Sequence, residues 1–474
     1  MSLWTSEEAA RATGGTSTCD WVATGVSIDS RSLTPGDLFV ALADVRDGHD
    51  FVAQALEKGA AAALVSRRPE NVPDDAALLV VGDVLSALED LGRAARSRTQ
   101  AKVIGVTGSA GKTSTKEMLR TALAGQGNIH AAEKSFNNHW GVPLTLARMP
   151  RETDFAIIEI GMNHPGEIAP LAKLAQPDVA IVTTVAPAHL EAFSSVEAIA
   201  HEKASIFEGL SSQGTAIVNA DLEFSPILID AAAPAACRTF GETEGSDWKL
   251  VEVVASSDVI ACRAEHDGQT LLFKLGAPGR HFAMNGLACL AAIDAAGGDL
   301  ALATLALSNW APPAGRGKRR FIQLDGADDT LGIDLFDDAY NANPASVSAA
   351  LDVLAQAEPS MPQGRRVAVL GDMKELGPSA AELHSALAAH PAMERISTMH
   401  CVGPLMRHLH ESLPAEKRGL WAETSAEIAA RPTALAGPGD TVLVKGSLST
   451  KMALIVDAIA KLGQAVDNSD AETR

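Results

Sequence analysis

Along the chain, short continuous apolar runs alternate with segments in which apolar residues recur at helical spacing. Short, apolar, β-prone runs at 102–107, 154–160, 178–185 and 215–219 are separated by segments whose apolar residues recur at helical spacing. Such runs predict buried strands, and alternation with helices predicts a mostly parallel sheet that is covered on both faces. We therefore expect an α/β fold in this part of the chain.

The same alternation appears on both sides of this region. Further strands are expected at 25–28, 37–41, 62–65 and 77–81, and near 332–337, 366–371, 397–402 and 440–445. The run Ala-Pro-Pro-Ala-Gly-Arg-Gly-Lys at 311–318 is typical of a linker. Because 474 residues are too many for one core, we predict three domains, at 1–98, 99–310 and 311–474.

Composition narrows the possible functions. A formal net charge of −20 argues against general binding of nucleic acid or anionic membranes, although a cleft could still be locally basic. No apolar run approaches the roughly 18 residues of a membrane span, and the first residues do not resemble a signal peptide. The five cysteines are scattered, which is typical of reduced thiols. We expect a cytoplasmic protein without membrane insertion.

Residues 105–115, Gly-Val-Thr-Gly-Ser-Ala-Gly-Lys-Thr-Ser-Thr, join a predicted strand to a predicted helix. A glycine-rich turn at a helix N-terminus presents backbone N–H groups to phosphate. A strict Walker A motif has glycine where this chain has Val106, but the remaining pattern is still specific. Lys112 can neutralise β- and γ-phosphate charge, and Thr113 can bind the magnesium of a nucleoside triphosphate. The predicted phosphate loop comprises Thr107, Gly108, Ser109, Ala110, Gly111, Lys112, Thr113 and Ser114.

Candidate chemistry follows several strand ends, where ligands of open parallel sheets bind. Glu159 suits a magnesium ligand, or is a solvent-facing edge carboxylate. His189 is either a site residue or an ordinary histidine of the surface or of a satisfied core position, and Lys203, taken alone, reads as a surface lysine. Asn285 could pair with an adenine edge or cap its helix. Arg316 could reach phosphates from a second domain or belong to a solubilising basic run.

The last predicted domain has three polar loops, at 337–344, 371–377 and 445–447, each after a strand. Asp, Asn and Pro also occur in tight turns, but the loop 337–344 has more polar residues than a turn needs. Loops at successive strand ends are expected to form one concave wall.

Together these motifs resemble the ATP-dependent Mur ligases of peptidoglycan synthesis over nearly the whole chain. The phosphate loop, Glu159, His189, Lys203, Asn285 and Arg316 are general features of that family. The segments 137–143, 163–168, 338–344, 369–377 and 444–447 resemble the member that adds D-alanyl-D-alanine. Sister ligases, and the related folylpolyglutamate synthetases, differ where this chain has Tyr340-Asn341. A non-enzymatic nucleotide switch on the same fold is expected to lack the catalytic lysines.

The resemblance implies a three-domain Mur ligase architecture, with a central P-loop domain and a Rossmann-like C-terminal domain. It implies an enzyme that uses ATP and Mg²⁺ to join D-alanyl-D-alanine to UDP-N-acetylmuramoyl-tripeptide through an acyl phosphate, releasing ADP and phosphate. The enzyme is expected to be a monomer. The third residue of the tripeptide, meso-diaminopimelate or L-lysine, stays open.

The resemblance also implies residue roles. Thr113 and Glu159 would hold one Mg²⁺, and His189 and Lys203 a second, with Lys203 converted by CO₂ to a carbamate. Asn285 would contact adenine, Asp338 the ribose, Lys112 the β- and γ-phosphates, and Arg316 the transferring phosphate.

Substrate-binding residues follow by the same resemblance. Ser30, Arg31, Gly48 and His49 would bind the uridine nucleotide, although the residues alone read as a turn and a helix cap. The remaining candidates for substrate binding are Asn137, Asn138, Tyr340, Asn341, Asn343 and Lys445. Some family members carry arginine where this chain has Leu448, so either Lys445 or Lys451 is the candidate for the dipeptide carboxylate.

Overall fold

The computed structural model describes residues 2–256 and 258–466. Three separate stretches of the chain each build one sheet. The first unit has five strands between residues 16 and 80, the central unit nine strands between 102 and 275, and the third unit seven strands between 318 and 466. A further two-stranded sheet pairs Trp4–Thr5 with Val22–Ala23. Most strand pairs in the three larger sheets are parallel, which confirms the predicted α/β class. The domain boundaries near 98 and 310 stay predictions.

The first sheet is small and is parallel except at one edge, where Thr16–Ser17 pairs antiparallel. Its strands lie in the order Thr16–Ser17, Leu78–Val80, Ala62–Val65, Asp37–Val40 and Gly25–Ser27. The helices of this stretch are Ser6–Thr13, Val52–Glu57 and Val84–Ser97. Trp4 donates its indole N–H to the Ala147 carbonyl at 2.8 Å, which ties this unit to the central one.

The central sheet places the phosphate loop near its middle. Its strands lie in the order Gln269–Leu275, Ile260–His266, Trp248–Ala255, Ala236–Gly241, Thr215–Asn219, Val179–Val182, Lys102–Thr107, Phe155–Glu159 and Ile129–Ala131. The first two pairs in this order are antiparallel and the rest are parallel. The four strands between 236 and 275 were not predicted from the sequence.

Both faces of the central sheet are buried. Ile157 packs into one hydrophobic cluster and its neighbour Ile158 into another, as successive strand residues must. The helices that cover these faces or extend from them are Lys112–Ala122, Gly141–Ala147, Ile168–Ala175, Val196–Ala204, Ser225–Ala232, Arg280–Ala295 and Leu300–Leu307.

The third sheet is parallel in its first five strands and antiparallel at its other edge. Its strands lie in the order Arg418–Ala422, Thr398–Val402, Arg366–Gly371, Thr441–Lys445, Asp328–Asp338, Lys318–Asp325 and Gln464–Val466. Its helices are Pro344–Gln356, Ala380–Ala386, Met406–Ser412, Ser425–Ala429, Pro432–Leu435 and Ala453–Ala460.

Two expectations from composition can be compared with the structure. All five cysteines are free thiols, with Cys19 exposed, Cys237 partly buried, and Cys262, Cys289 and Cys401 buried. Across residues 2–256 and 258–466, none of the helices has both the length and the apolar character that a bilayer crossing requires.

Candidate active site

One cavity of about 530 Å³ lies between the carboxyl ends of the central strands and the third unit. It brings together most of the residues singled out from the sequence. These are Ser109, Ala110, Gly111, Lys112, Thr113, Ser114, Asn137, Asn138, Glu159, His189, Asn285, Arg316, Asp338, Tyr340, Asn341, Asn343 and Lys445.

The phosphate loop begins where the strand Lys102–Thr107 ends. Gly108 and Gly111 have φ of 151° and 84°, a region that favours glycine. A Cβ on Gly108 would lie only 1.9 Å from the Thr183 hydroxyl oxygen, which itself donates to the Ala110 carbonyl at 2.6 Å. The loop can therefore close only with glycine at 108. Thr107, predicted as a nucleotide contact, has a fully buried side chain beneath the loop, outside the residues that line the cavity.

A buried carboxylate lies directly beside this loop. The pairing of Glu159 with Val106 in adjacent parallel strands brings its side chain to the start of the helix. Thr113 Oγ1 lies 2.9 and 3.0 Å from the two carboxylate oxygens, and Asn137 Nδ2 donates to Oε1 at 2.7 Å. Glu159 is only 2% exposed, so the alternative of a solvent-facing edge carboxylate is wrong. Carboxylate and hydroxyl oxygens are hard donors, and this pair fits Mg²⁺.

Three cationic side chains converge near the loop. Lys112 Nζ donates to the Gly108 carbonyl at 2.6 Å. Burial lowers the pKa of Lys112, the Glu159 charge opposes that shift, and the Arg316 charge adds to it. Burial, reinforced by Lys112, holds the pKa of Lys203 well below its ordinary value. Neighbouring positive charges that lower the pKa of Lys112 and of Lys203 mark a site that an anion such as a polyphosphate would stabilise.

Lys203 is not the surface residue that its sequence context alone suggested. It is 1% exposed, and its Nζ lies 3.8 Å from the sulfur of Met162, which itself lines the cavity. Burial of this kind makes the neutral amine easier to form here than at an exposed lysine.

His189 links the central unit to the third one. Its Nδ1 lies 2.5 Å from Glu375 Oε2, and this contact lowers the pKa of Glu375. The Glu375 carbonyl also accepts from the Glu191 amide at 3.2 Å. Sequence reasoning marked the loop 371–377 but missed Glu375 as the partner of His189, since the two meet only through the fold. In the parts of the chain that the structure describes, no three His, Cys, Asp or Glu side chains gather as a metal cluster.

Asn285 and Asp338 also line the cavity. Asn285 lies within the helix Arg280–Ala295, whose N-cap is Gly279, so the capping alternative is wrong. Its amide faces the phosphate loop: a Cβ on Gly111 would lie 2.9 Å from Asn285 Oδ1. Lys445 Nζ donates to Asp338 Oδ2 at 2.7 Å, and burial, opposed by that lysine, raises the pKa of Asp338.

Some predicted substrate contacts already have partners. Besides Asp338, Lys445 Nζ also bonds the Asn341 carbonyl at 2.9 Å. Asn343 Nδ2 donates to the Ser109 carbonyl at 2.9 Å, while its Oδ1 caps the helix Pro344–Gln356. Asn343 therefore fastens the third unit to the phosphate loop. Lys451 is exposed and lies outside the cavity lining.

The predicted uridine-binding residues lie in the first unit, outside this cavity. Ser30 Oγ donates to Gln54 Oε1 at 2.8 Å. Arg31 is exposed and pairs with Asp29 at 2.7 Å, a bond that lowers the pKa of Asp29 to about 2. Arg31 donates from Nε and Nη2 to Asp29, and its remaining N–H groups, on a side chain that is 87% exposed, can meet solvent or a ligand.

Gly48 and His49 have structural positions in the same unit. A Cβ on Gly48 would lie 2.5 Å from the Ala41 carbonyl carbon. His49 is 4% exposed; its Nδ1 lies 2.6 Å from Asp47 Oδ1, and its Nε2 accepts from the Ser66 amide at 3.0 Å. Because both ring nitrogens are engaged, a ligand at this turn would meet its backbone rather than the imidazole.

Ser135 lines the cavity and was missed from the sequence. Its hydroxyl oxygen lies 3.0 Å from Thr113 Oγ1 and accepts from Arg316 Nη2 at 3.1 Å. The only signal in the sequence is its place two residues before Asn137.

Three models of Mur ligase domains match the chain. The Mur ligase middle domain matches residues 106–293, the Mur ligase glutamate ligase domain 319–448, and the Mur ligase family catalytic domain 22–117. Proteins named UDP-N-acetylmuramoyl-tripeptide–D-alanyl-D-alanine ligase are similar along most of their length. That of Escherichia coli is 36% identical (92% of this chain, 94% of the relative), and that of Rickettsia prowazekii is 32% identical (91% and 94%).

Solved structures agree as well. MurF from Acinetobacter baumannii has a TM-score of 0.82 at 30% identity, covering 97% of this chain and 99% of that one. MurF ligase from Thermotoga maritima, solved in complex with ADP, has a TM-score of 0.77 at 26% identity, covering 92% and 97%. The chain, with its phosphate loop, buried carboxylate and converging cations, therefore belongs to the Mur ligase family.

Proposed function

We propose that this protein is an ATP-dependent ligase that joins D-alanyl-D-alanine to UDP-N-acetylmuramoyl-tripeptide in peptidoglycan precursor synthesis. The observation that carries the proposal is the single cavity where Lys112, Arg316 and the Thr113–Glu159 pair face the loops of the third unit. The ligases so named that are similar over nine-tenths of this chain support the choice of substrates.

The first step is transfer of the γ-phosphoryl group of ATP to the terminal carboxylate of the tripeptide. An oxygen–phosphorus bond forms to the carboxylate while the bond to ADP breaks, leaving an acyl phosphate and ADP. Because both reactants are anions, alignment and charge neutralisation are the main catalytic tasks. Lys112 neutralises the β- and γ-phosphates, and Arg316 the phosphoryl group in transit. Thr113 and Glu159 would hold Mg²⁺, which supplies further neutralisation when bound.

The second step forms the amide. The amine of D-alanyl-D-alanine attacks the acyl carbon, the carbon–oxygen bond to phosphate breaks, and the amine loses a proton. Tyr340, Asn341 and the third-unit loops would place the dipeptide. Since ATP and dipeptide contacts lie on different units, closure of those units would assemble the site.

We also propose roles for His189 and Lys203 toward a second Mg²⁺. An ammonium cannot ligate a cation, whereas a neutral amine can add CO₂ to give a carbamate with two oxygen donors. The depressed pKa of Lys203 suits that addition. His189, whose Nδ1 lies against the Glu375 carboxylate, would offer its Nε2.

The first unit would bind the UDP-sugar, with exposed Arg31 meeting the diphosphate. Ser30, Gly48 and His49 would shape that site. A cytoplasmic location, a monomeric state and domain boundaries near 98 and 310 complete the proposal.

The decisive test is phosphate release from ATP and Mg²⁺ with UDP-N-acetylmuramoyl-tripeptide, with D-alanyl-D-alanine in one sample and single L-amino acids in another. We expect release that depends on D-alanyl-D-alanine and a pentapeptide product by mass spectrometry. Tripeptides ending in meso-diaminopimelate and in L-lysine should be compared. No release with either would overturn the proposed substrates.

Asp338→Ala should raise the KM for ATP about tenfold with a smaller change in kcat, because a ribose contact acts equally in ground and transition states. Steady-state kinetics with each substrate varied in turn measures this. Asp328→Ala, at the exposed start of the same strand, is the matched control and should behave as wild type. A selective rise in the KM for D-alanyl-D-alanine would assign Asp338 to the other substrate.

A further inference from the structure

A continuous line of hydrogen-bonding groups crosses the junction between the central and third units. Arg316 Nη2 lies 3.1 Å from Ser135 Oγ, which lies 3.0 Å from Thr113 Oγ1. Thr113 Oγ1 lies 2.9 Å from Glu159 Oε2. Ser135 is the only member of this line that has no role in the mechanism proposed above.

The chemistry of the two ends fixes the direction of every bond. A guanidinium only donates and an ionised carboxylate only accepts. Ser135 Oγ therefore accepts from Arg316 and donates to Thr113, which in turn donates to Glu159. These directions fix where both hydroxyl protons point. The series of hydrogen bonds ends on Glu159, the carboxylate that would hold Mg²⁺.

The segment that carries Ser135 is fastened to the helix of the phosphate loop. Lys116, which is fully buried, donates from Nζ to the Ala132 carbonyl at 2.6 Å and lies 2.9 Å from Glu117 Oε1. A buried ammonium persists only with such partners, so this contact fixes the segment firmly. Ser135 is thus held by the element that holds Thr113.

Arg316 reaches this line from the other unit through a long side chain. Its backbone is hydrogen-bonded: the Arg316 amide donates to the Pro313 carbonyl at 3.1 Å, and the Gly317 amide donates to the Asp337 carbonyl at 2.8 Å. The rotamers of the side chain therefore decide where the guanidinium lies. Its guanidinium lies near the like charge of Lys112, which tends to push it away. Three features oppose this: the Tyr340 ring, with its centroid 4.3 Å from the guanidinium carbon, the Ser135 hydroxyl, and the opposite charge of Asp338.

We propose that Ser135 is a positioning residue that sets the Arg316 guanidinium relative to the Thr113–Glu159 cation site. The inference rests on the proposed function, in which Arg316 meets the transferring phosphoryl group. Ser135 does not itself bind the phosphate; it supplies the fixed acceptor that aligns the Arg316 side chain with the nucleotide loop of the other unit.

Ser135→Ala should lower kcat for pentapeptide formation about 10- to 100-fold, the effect of losing one hydrogen bond to a charged group. The KM for ATP should change less than about threefold, since Lys112 and the loop amides remain. Ser135→Thr keeps the hydroxyl and should recover most of kcat. Ser97→Ala, at the end of the first-unit helix, removes an exposed hydroxyl far from the cavity and should leave kcat unchanged.

A double-mutant cycle separates this role from a general structural one. If Ser135 acts through Arg316, Ser135→Ala should reduce kcat by less than about twofold in an Arg316→Ala background. Calorimetric titration of a non-hydrolysable ATP analogue in the presence of Mg²⁺ measures nucleotide binding directly. The Ser135→Ala protein should bind the analogue with an affinity within about threefold of the wild type. Additive losses of kcat, or loss of analogue affinity as large as the loss of kcat, would overturn the positioning role. A wild-type protein that makes no pentapeptide would instead overturn the proposed function, and this role with it.

Discussion

Lys112→Ala is expected to lower the rate of acyl-phosphate formation by at least about 10³-fold. The ammonium is held against the Gly108 carbonyl at the base of the phosphate loop, where it meets charge that develops between the β- and γ-phosphates. After its removal, Arg316 and Lys203 are the remaining members of the three cations that converge near the loop. ADP release in the presence of tripeptide, together with trapping of the acyl phosphate by hydroxylamine, measures the loss.

The matched control is Lys102→Ala, at the first residue of the strand that leads into the loop. Its side chain is 54% exposed and lies 3.7 Å from Asp178, so its loss should leave both turnover and thermal unfolding near wild type. An Lys112→Ala protein that still hydrolyses ATP when tripeptide is present would contradict the role assigned to Lys112.

Buried strands were the most predictable part of the fold. The strands Lys102–Thr107, Thr215–Asn219 and Arg366–Gly371 begin and end at the predicted residues. Each is covered on both faces, so nearly every side chain is apolar and the run stands out in the sequence. The predicted strand 178–185 is shorter, Val179–Val182, because the chain then turns toward the cavity.

The four strands from Ala236 to Leu275 escaped prediction for a related reason. They are only partly buried, so they lack the continuous apolar runs of the central strands; in Ile260–His266 buried residues alternate with less buried ones. In Gln269–Leu275 the pattern is further obscured because Leu272 is apolar yet 69% exposed beside buried Phe273. A search for continuous apolar stretches passes over such segments.

The location of the site could be predicted, but the pairings within it could not. Strand topology alone puts Glu159 and His189 at one edge of the sheet. Which groups then bond depends on contacts between units, as with Ser135 and Arg316, which are 181 residues apart. The same applies to Asn343, whose amide fastens to the Ser109 carbonyl.

Lys203→Ala should lower turnover by about 10²-fold or more while the protein stays folded. Removing the buried amine also removes the cost of burying a polar group, which offsets part of the cost of the cavity that remains. Added bicarbonate should not rescue the variant, because no amine is left to take up CO₂. Lys173→Ala, a substitution of an exposed lysine paired with Glu208, is the matched control.

The carbamate itself can be observed apart from activity. Wild-type protein equilibrated with ¹³C-bicarbonate should show a carbamate carbonyl signal by NMR that is absent from Lys203→Ala and present in Lys173→Ala. Burial and the Lys112 charge hold the pKa of Lys203 well below its ordinary value, so the neutral amine that takes up CO₂ forms more readily than on an exposed lysine, and the signal should survive to a lower pH than an exposed lysine would allow. Wild-type turnover in Lys203→Ala would remove the residue from catalysis. Lost turnover without any carbamate signal in the wild type would leave Lys203 as a neutral amine at the site, with no part in holding a cation.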